Sequence, residues 1–102
     1  MAKVNVIARF VAREKKESEL KSLLEGMLAP TRAESGCELY ELYESDAKGR
    51  FYLRETWVSQ AALDQHMATT HFKRLKETGG ELVKEPFEIN SVKTILNEAA
   101  AA

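Results

Sequence analysis

Alternating apolar and polar positions open the chain and predict a β-strand. Every second residue from Val4 to Phe10 is apolar, which is the period of a strand. The intervening positions mix Ile7 with Asn5 and Arg9. Because apolar groups occur on both faces, we expect both faces of this strand to be covered.

The period then lengthens to that of an amphipathic helix, beginning at about Lys15. Pro30 lacks a backbone N–H and crowds the carbonyl of Gly26, where we expect a kink or a break. Ser35 and Gly36 end the helical pattern. The apolar positions of this helix are Leu20, Leu23, Leu24, Met27 and Leu28.

The rest of the chain predicts a hairpin, two short helices and a last strand. Two extended runs, residues 37–45 and 50–58, are separated by a short segment ending in Gly49, which is typical of a β-hairpin. Ser59 is a suitable N-cap for a short helix that Thr69 and Thr70 interrupt.

A second short helix carries Phe72 and Leu75, and we expect it to end at Gly79 and Gly80. A last strand is predicted over about residues 87–96. The tail, residues 97–102, has no pattern that requires order, and we expect it to fray.

This element order, β-α-β-β-α-β, is that of an α+β ferredoxin-like fold, a split β-α-β arrangement with an antiparallel sheet. We expect one domain over residues 1–96. Both helical segments lie on one face of such a sheet and leave the other face open. Since the strands carry apolar groups on both faces, we predict that two copies pack their open faces together in a homodimer.

Composition and charge argue against two classes of binding partner, nucleic acids and membranes. The 15 Lys and Arg residues against 16 Asp and Glu give a net charge of −1, without the basic surplus typical of nucleic-acid or anionic-membrane binding. No apolar run approaches the roughly 18 residues of a membrane span, and the first residues do not resemble a secretory signal. We therefore expect a cytoplasmic protein with no nucleic-acid or membrane partner.

Cofactor motifs are missing from the sequence. No glycine-rich loop joins a strand to a helix, so nothing predicts a nucleotide, flavin or nicotinamide site. His66 and His71 are five residues apart, which separates them by roughly 140° on a continuous helix. We expect no metal site, although a break at Thr69 and Thr70 would allow the two histidines to meet.

Candidate chemistry concentrates near the third strand. His66 falls on the apolar side of its helix, where it is either a core histidine bonded to a carbonyl or a neutral general base in an apolar pocket. Glu55 falls on the same strand face as Trp57, and a buried carboxylate needs a partner, for which Arg9, Arg54 and His66 are candidates. Asn5 either bonds backbone or contacts a ligand.

A longer motif runs through the third strand and the helices after it. It comprises Arg-Phe-Tyr-Leu-Arg-Glu-Thr-Trp at residues 50–57, followed by Ser59, Leu63, His66, Thr69, His71, Phe72 and Lys73. An earlier Glu-Ser-Gly-Cys occupies residues 34–37. Together these segments resemble the antibiotic biosynthesis monooxygenase (ABM) family over about residues 3–96.

The resemblance implies a dimeric α+β barrel and, as in several members, oxygenation of quinols or dihydroxy-aromatics by O₂ without metal, flavin or haem. It implies His66 as the base, with Trp57 and Glu55 as further catalytic candidates, and Asn5 or His71 orienting a ring oxygen. Such a reaction requires that the ring be bound, deprotonated and shielded from water. The predicted apolar walls are Tyr40, Phe51, Leu53, Trp57 and Phe72.

Other branches of the same superfamily give alternatives. Haem-degrading relatives carry a helical tryptophan where this chain has His66, so haem degradation is not favoured. An isomerase branch acting on a small phosphorylated carbonyl compound shares the motif closely, and Arg54, Lys73 or Arg74 would then hold the phosphate. A non-catalytic dimeric binding or stress-response protein is the third possibility. The leading hypothesis is a cofactor-independent monooxygenase acting on a small quinol or polyphenol.

Overall fold

The computed structural model describes residues 2–95 of the 102-residue chain. Within them the chain forms four strands and four helices in an α+β arrangement. The elements are β1 (Val4–Val11), α1 (Glu17–Glu25), α2 (Leu28–Arg32), β2 (Cys37–Glu44), β3 (Arg50–Trp57), α3 (Gln60–Met67), α4 (Thr70–Leu82) and β4 (Glu88–Val92).

The four strands form one antiparallel sheet in the order β2-β3-β1-β4. The first and third strands pair at the centre, with Ala8 opposite Leu53 and Val6 opposite Glu55. The predicted hairpin is present as β2 and β3, which place Tyr40 beside Glu55. This order confirms the predicted ferredoxin-like split β-α-β fold.

The hydrophobic core lies between the helices and one face of the sheet. Alternate strand residues point into it, and leucines of α1 and α4 meet them. Burial of these side chains is the main force that holds the helices on this face. Its largest fully buried members are Trp57, Tyr40, Phe10, Phe51, Leu20, Leu24, Leu53 and Leu75.

The opposite face of the sheet is uncovered and mixed in character. Ile7 is 44% exposed and Tyr43 45% exposed. Charged groups lie among them, since Arg54 on β3 reaches Glu41 on β2 at 3.8 Å. The face is therefore less apolar than the alternation of β1 alone suggests, and the predicted packing of two such faces remains a prediction.

The predicted break near Gly26 is confirmed. Gly26 ends α1 and Met27 begins the next turn, so that Pro30 lies in the first turn of α2, where a missing N–H leaves no intrahelical bond unmade. Thr31, the residue after Pro30, is completely buried.

The prediction that Gly79 and Gly80 end a helix was wrong. The last helix, α4, continues through both of them to Leu82. A Cβ at position 79 would lie 2.9 Å from the ring of Phe87, so this glycine allows close packing inside a helix instead of ending it. No helix in the described residues has the length and apolar character needed to cross a bilayer.

The last strand is shorter than predicted. It covers Glu88–Val92, and residues 93–95 are not part of it. Leu96, the predicted end of the strand, and the predicted frayed tail at residues 97–102 lie outside the described residues.

Candidate functional site

His66 is the centre of a buried polar cluster between the helices and the sheet. It lies on α3, is 2% exposed and is surrounded by aromatic rings. Its ring centroid lies 4.6 Å from that of Trp57 at an interplanar angle of 33°. Phe72 and Tyr40 meet the imidazole edge-on, with centroids at 5.2 and 5.8 Å. The surroundings of the imidazole are therefore mainly apolar.

Glu34 binds both histidines of the chain through a single oxygen. Its Oε2 lies 2.7 Å from Nδ1 of His66 and 2.8 Å from Nε2 of His71. Because a carboxylate can only accept hydrogen bonds, each of these ring nitrogens carries the proton. The other nitrogen of neutral His66, Nε2, then has a free lone pair and can accept a proton.

A break between α3 and α4 brings the two histidines together. The hydroxyl of Thr69 donates to the carbonyl of His66 at 2.6 Å and accepts from the backbone N–H of Phe72 at 3.2 Å. This residue thereby ends one helix and caps the next. On a continuous helix His66 and His71 would diverge, whereas here their ring centroids lie 5.8 Å apart.

The loop after α2 carries Glu34 and packs tightly against α3. Gly36 lies so close to this helix that a Cβ at position 36 would come 2.4 Å from that of Ala62. The carbonyl of Gly36 also accepts from the N–H of Val58 at 2.9 Å. The absence of a side chain at Gly36 therefore allows the loop to hold Glu34 against the histidines.

Burial lowers the pKa of His66, and the positive charge that His71 can carry acts in the same direction. The hydrogen bond and the negative charge of Glu34 oppose this shift without cancelling it. The imidazole is consequently neutral at neutral pH and available as a base.

Glu55 is a buried carboxyl group, and its hydrogen-bond partner is none of the three residues predicted from the sequence. Its Oε1 accepts a hydrogen bond of 3.0 Å from Nε1 of Trp57. The predicted ion pair was wrong, because Arg9 and Arg54 point to the other face of the sheet and His66 bonds Glu34 instead. Burial raises the pKa of Glu55 to about 7, against the lowering effect of the bond from Trp57.

A second pair of polar groups is buried nearby. The hydroxyls of Tyr40 and Thr31 are inaccessible to solvent and form no hydrogen bond of ordinary geometry with the described residues. Burial raises the pKa of Tyr40, and the charge of Glu55 raises it further. Tyr40 therefore stays a neutral phenol in the wall beside His66.

The space between these side chains is almost closed. The void has a volume of about 10 Å³, which is at the lower limit for one water molecule. Met67 and Ile89 are 37% and 40% exposed and form its outer edge. A ligand therefore requires these side chains to move. The void is lined by Ala8, Phe10, Tyr40, Leu53, Glu55, Leu63, His66, Met67, Phe72, Leu75 and Ile89.

The structure brings most, but not all, of the predicted site residues together. Tyr40, Leu53 and Phe72 line the void with His66 and Glu55, and Trp57 lies against the imidazole. His71 is linked to His66 through Glu34. Two predicted residues lie elsewhere.

Asn5 and Phe51 are separated from His66. Asn5 lies on the open face, where its Oδ1 accepts from the hydroxyl of Thr56 at 2.8 Å. The expectation that Asn5 orients a ligand at His66 was wrong for this chain, because successive strand residues point to opposite faces. Phe51 belongs to the core opposite Phe10, four residues before Glu55 along β3, and does not line the void.

Sequence reasoning missed Glu34, Met67 and Ile89 as site residues. Glu34 lies in a loop, where no periodicity assigns a direction to a side chain. Its position two residues before Gly36, in the motif at residues 34–37, was the available signal. The contribution of Ile89 depends on the pairing of β4 with β1, which places it opposite Ala8.

The fold and the site define a small α+β protein with an open antiparallel sheet and a buried histidine on the helical side of that sheet. Comparison with known proteins identifies its family. The model of the antibiotic biosynthesis monooxygenase family matches residues 3–78. The chain is 43% identical over 98 residues to "Putative monooxygenase Rv0793" of Mycobacterium tuberculosis, with 96% of each chain covered. This chain therefore belongs to the antibiotic biosynthesis monooxygenase family.

Further relatives agree with this assignment. "Putative monooxygenase YcnE" of Bacillus subtilis is 31% identical over 92 residues, which cover 89% of this chain and 95% of that protein. The solved structure of Rv0793 superposes with a TM-score of 0.88 at 38% identity, covering 94% of this chain and 98% of that one. PA3566 from Pseudomonas aeruginosa gives a TM-score of 0.86 at 29% identity, covering 94% and 97%.

Proposed function

We propose that this protein is a cofactor-independent monooxygenase that oxidises a small quinol or polyphenol with O₂. Family membership supports monooxygenase chemistry, and one observation carries the finer assignment. His66 is a neutral, buried imidazole that is fixed by Glu34 and surrounded by aromatic rings, so it can take a proton from a phenol bound in an apolar site.

The first step is proton transfer from a substrate hydroxyl to Nε2 of His66. Glu34 favours the resulting imidazolium, because it already accepts the hydrogen bond from Nδ1. The phenolate is electron-rich enough to pass an electron to O₂, and the radical pair then combines at a ring carbon. Over the whole reaction the ring loses two hydrogens and gains one oxygen, and the second oxygen atom leaves as water.

Glu55 supplies the complementary acid. With a pKa of about 7 its carboxyl is partly protonated at neutral pH, and it lines the same void as His66. A protonated carboxyl can give its proton to the oxygen that leaves as water. Trp57 fixes the orientation of Glu55 through its Nε1–H and covers one side of the imidazole.

Substrate entry requires the site to open at its outer edge. Met67 has a flexible side chain, and Ile89 lies on the edge strand β4, so both can move without disturbing the central strands. Closure over the bound ring would then exclude water from the reactive intermediate.

The proposal includes a homodimer in which two copies of the chain meet through the open faces of their sheets. Ile7, Tyr43 and Val92 are exposed apolar groups on this face, and we assign them to the contact with a second copy of the chain. Two sheets packed in this way form a dimeric α+β barrel, with one histidine site on the outer, helical side of each sheet.

Oxygen uptake by chelator-treated protein tests the activity. With a panel of dihydroxynaphthalenes and simple quinols, we expect uptake above the autoxidation rate for at least one compound. His66→Ala should lower turnover by about 10²- to 10⁴-fold, the usual contribution of a positioned base. Asp64→Asn, an exposed change on the same helix, is the matched control and should leave uptake unchanged. No uptake above autoxidation for any compound would refute the proposal.

The isomerase alternative receives no specific support from the site. Arg54, one of the cations expected to bind a phosphate, lies on the open face beside Glu41 and away from His66. Lys73 and Arg74 are exposed on α4. The phosphate site that this alternative requires is therefore not assembled around His66 in the described residues.

A further inference from the structure

The cluster at His66 has the composition of a transition-metal site. One oxygen of Glu34, Nδ1 of His66 and Nε2 of His71 all lie within 4.8 Å of one another. The sequence contains two histidines in total, and both are in this cluster. They come from different helices and converge on the same carboxylate oxygen.

We propose that Glu34, His66 and His71 bind a divalent transition-metal ion of the zinc class. Imidazole nitrogen and carboxylate oxygen are ligands that such ions accept, and two histidines with one carboxylate leave a coordination position open for water. The inference rests on the geometry of the cluster and is independent of whether the protein oxidises quinols.

The three groups need to rearrange from their hydrogen-bonded positions to coordinate an ion. The N–O separations of 2.7 and 2.8 Å are those of hydrogen bonds. Ligand bonds of about 2.0 Å in a tetrahedral site place neighbouring ligand atoms about 3.3 Å apart, so each ring nitrogen needs to move about half an ångström away from the Glu34 oxygen. The two ring nitrogens, which lie within 4.8 Å of each other, need to take up the same separation of about 3.3 Å. Each ring keeps one proton, which moves to the nitrogen that faces away from the ion.

Access and charge are suitable for an ion. The side chains of Glu34 and His71 are 17% and 22% exposed, which provides a path from solvent and space for a bound water. His66 is the buried ligand, with 2% exposure. Among residues 2–95, Glu34 forms ion-pair contacts with these two histidines and with no Lys or Arg, so no fixed cation competes for the site.

Metal binding at this position would control the base. An ion on Nδ1 of His66 leaves the proton on Nε2, the atom that faces the phenol in the proposed reaction. The occupied site therefore has no base at His66, and the ion acts as an inhibitor. This consequence, unlike the binding itself, rests on the proposed function.

Cobalt(II) titration of the metal-free protein tests the binding. We expect intense visible d–d bands of low-coordinate Co²⁺ that saturate at one ion per chain and disappear when Zn²⁺ is added. Glu34→Gln and His71→Ala should each weaken binding about tenfold or more. Glu38→Gln, which changes an exposed carboxylate of the neighbouring strand, is the matched control and should leave the titration unchanged.

Two results would overturn the proposal. One is a titration without saturable bands, which would show that the cluster is a hydrogen-bonded triad alone. The other is binding that survives unchanged in Glu34→Gln, a variant that keeps the size of the side chain. Circular dichroism identifies a variant that does not fold. If one of Glu34→Gln and His71→Ala fails to fold, the titration of the other decides whether the cluster binds the ion. If Co²⁺ binds but no quinol is oxidised, the metal site stands and only the proposed oxygenation fails.

Discussion

At the scale of single residues, the site depends on how burial changes two acid–base groups. His66 is made neutral by its apolar surroundings and oriented by Glu34, whereas burial of Glu55 favours its protonated form. The two groups thus provide a base and an acid at the same pH, which is how one site serves both proton transfers.

Replacing Glu34 tests the orientation of the base. In Glu34→Gln the amide replaces the charge that stabilises imidazolium, so we expect kcat for quinol oxidation to fall by about 10- to 100-fold, less than for loss of His66 itself. The KM should change little, because Glu34 does not line the void. Steady-state kinetics in the presence of chelator measure both. A rise in KM at constant kcat would instead assign Glu34 to substrate binding.

Glu55 makes a prediction about stability and pH. Its pKa in the folded protein is raised from 4.5 to about 7, so its ionisation opposes folding. With Glu55 protonated, the free energy of unfolding is at its full value below about pH 4.5. This contribution is lost as the pH rises through 7 and the buried carboxyl ionises. Glu55→Gln removes this titration.

Urea unfolding of both proteins at pH 5 and pH 8 measures the effect. Between these pH values the free energy of unfolding of Glu55→Gln should improve relative to wild type by about 2 to 3 kcal/mol, as a shift of this size implies. A difference between the two proteins that is the same at both pH values would show that folding does not shift the pKa of Glu55.

The sequence predicted the direction of a side chain correctly where the residue belongs to a strand or a helix. Strand alternation placed Glu55 and Trp57 on one face, and helical spacing turned His66 toward the sheet. Alternation also implied that Asn5 and Val6 face opposite ways, but the sequence alone did not say which face of β1 meets His66. The role of Glu34 depends on a loop contact across 32 residues of chain, which no local pattern encodes.

At the scale of elements, two junctions assemble the cluster. The hydroxyl of Thr69 bonds the end of α3 and the start of α4, and Gly36 packs closely on Ala62 in the loop that carries Glu34. The capping residues Ser59 and Thr69 were recognisable in sequence, because their side chains are suited to helix starts. The continuation of α4 through Gly79 could not be recognised in the sequence, because it depends on packing against the ring of Phe87.

A pair of glycine substitutions tests the loop contact. Gly36→Ala forces a Cβ to 2.4 Å from Ala62, so we expect destabilisation by about 1 to 3 kcal/mol, together with weaker activity as Glu34 is displaced. Gly80→Ala is the control, because nothing lies within 4 Å of its added Cβ and alanine favours a helix interior by about 0.5 to 1 kcal/mol. Thermal unfolding compares the two. Equal stability of both variants would show that the contact at Gly36 is not limiting.

At the scale of the whole molecule, the sheet separates two surfaces with different tasks. One face carries the helices and the histidine cluster, and the other carries the groups assigned to a second copy. The fold was predictable from element order, because few arrangements join these elements with short connections. The closed void was not predictable, since a volume of about 10 Å³ depends on how eleven side chains meet.

Sedimentation tests the assembly. We expect a dimer at micromolar concentration, and a shift toward monomer in Ile7→Asp, which puts a charge on the open face. Ala61→Asp, on the exposed side of α3, is the control and should remain dimeric. A wild-type protein that sediments as a stable monomer would contradict the assigned interface.

The central claim is that His66 removes a proton from a bound phenol, and anaerobic absorption spectroscopy of a bound quinol tests it most directly. Without O₂ the reaction stops after proton transfer. A dihydroxynaphthalene bound to the wild-type protein should ionise to its phenolate at a lower pH than the same compound bound to His66→Ala, because only the wild-type protein can hold the released proton beside Glu34. Ionisation at the same pH in both proteins would contradict the account.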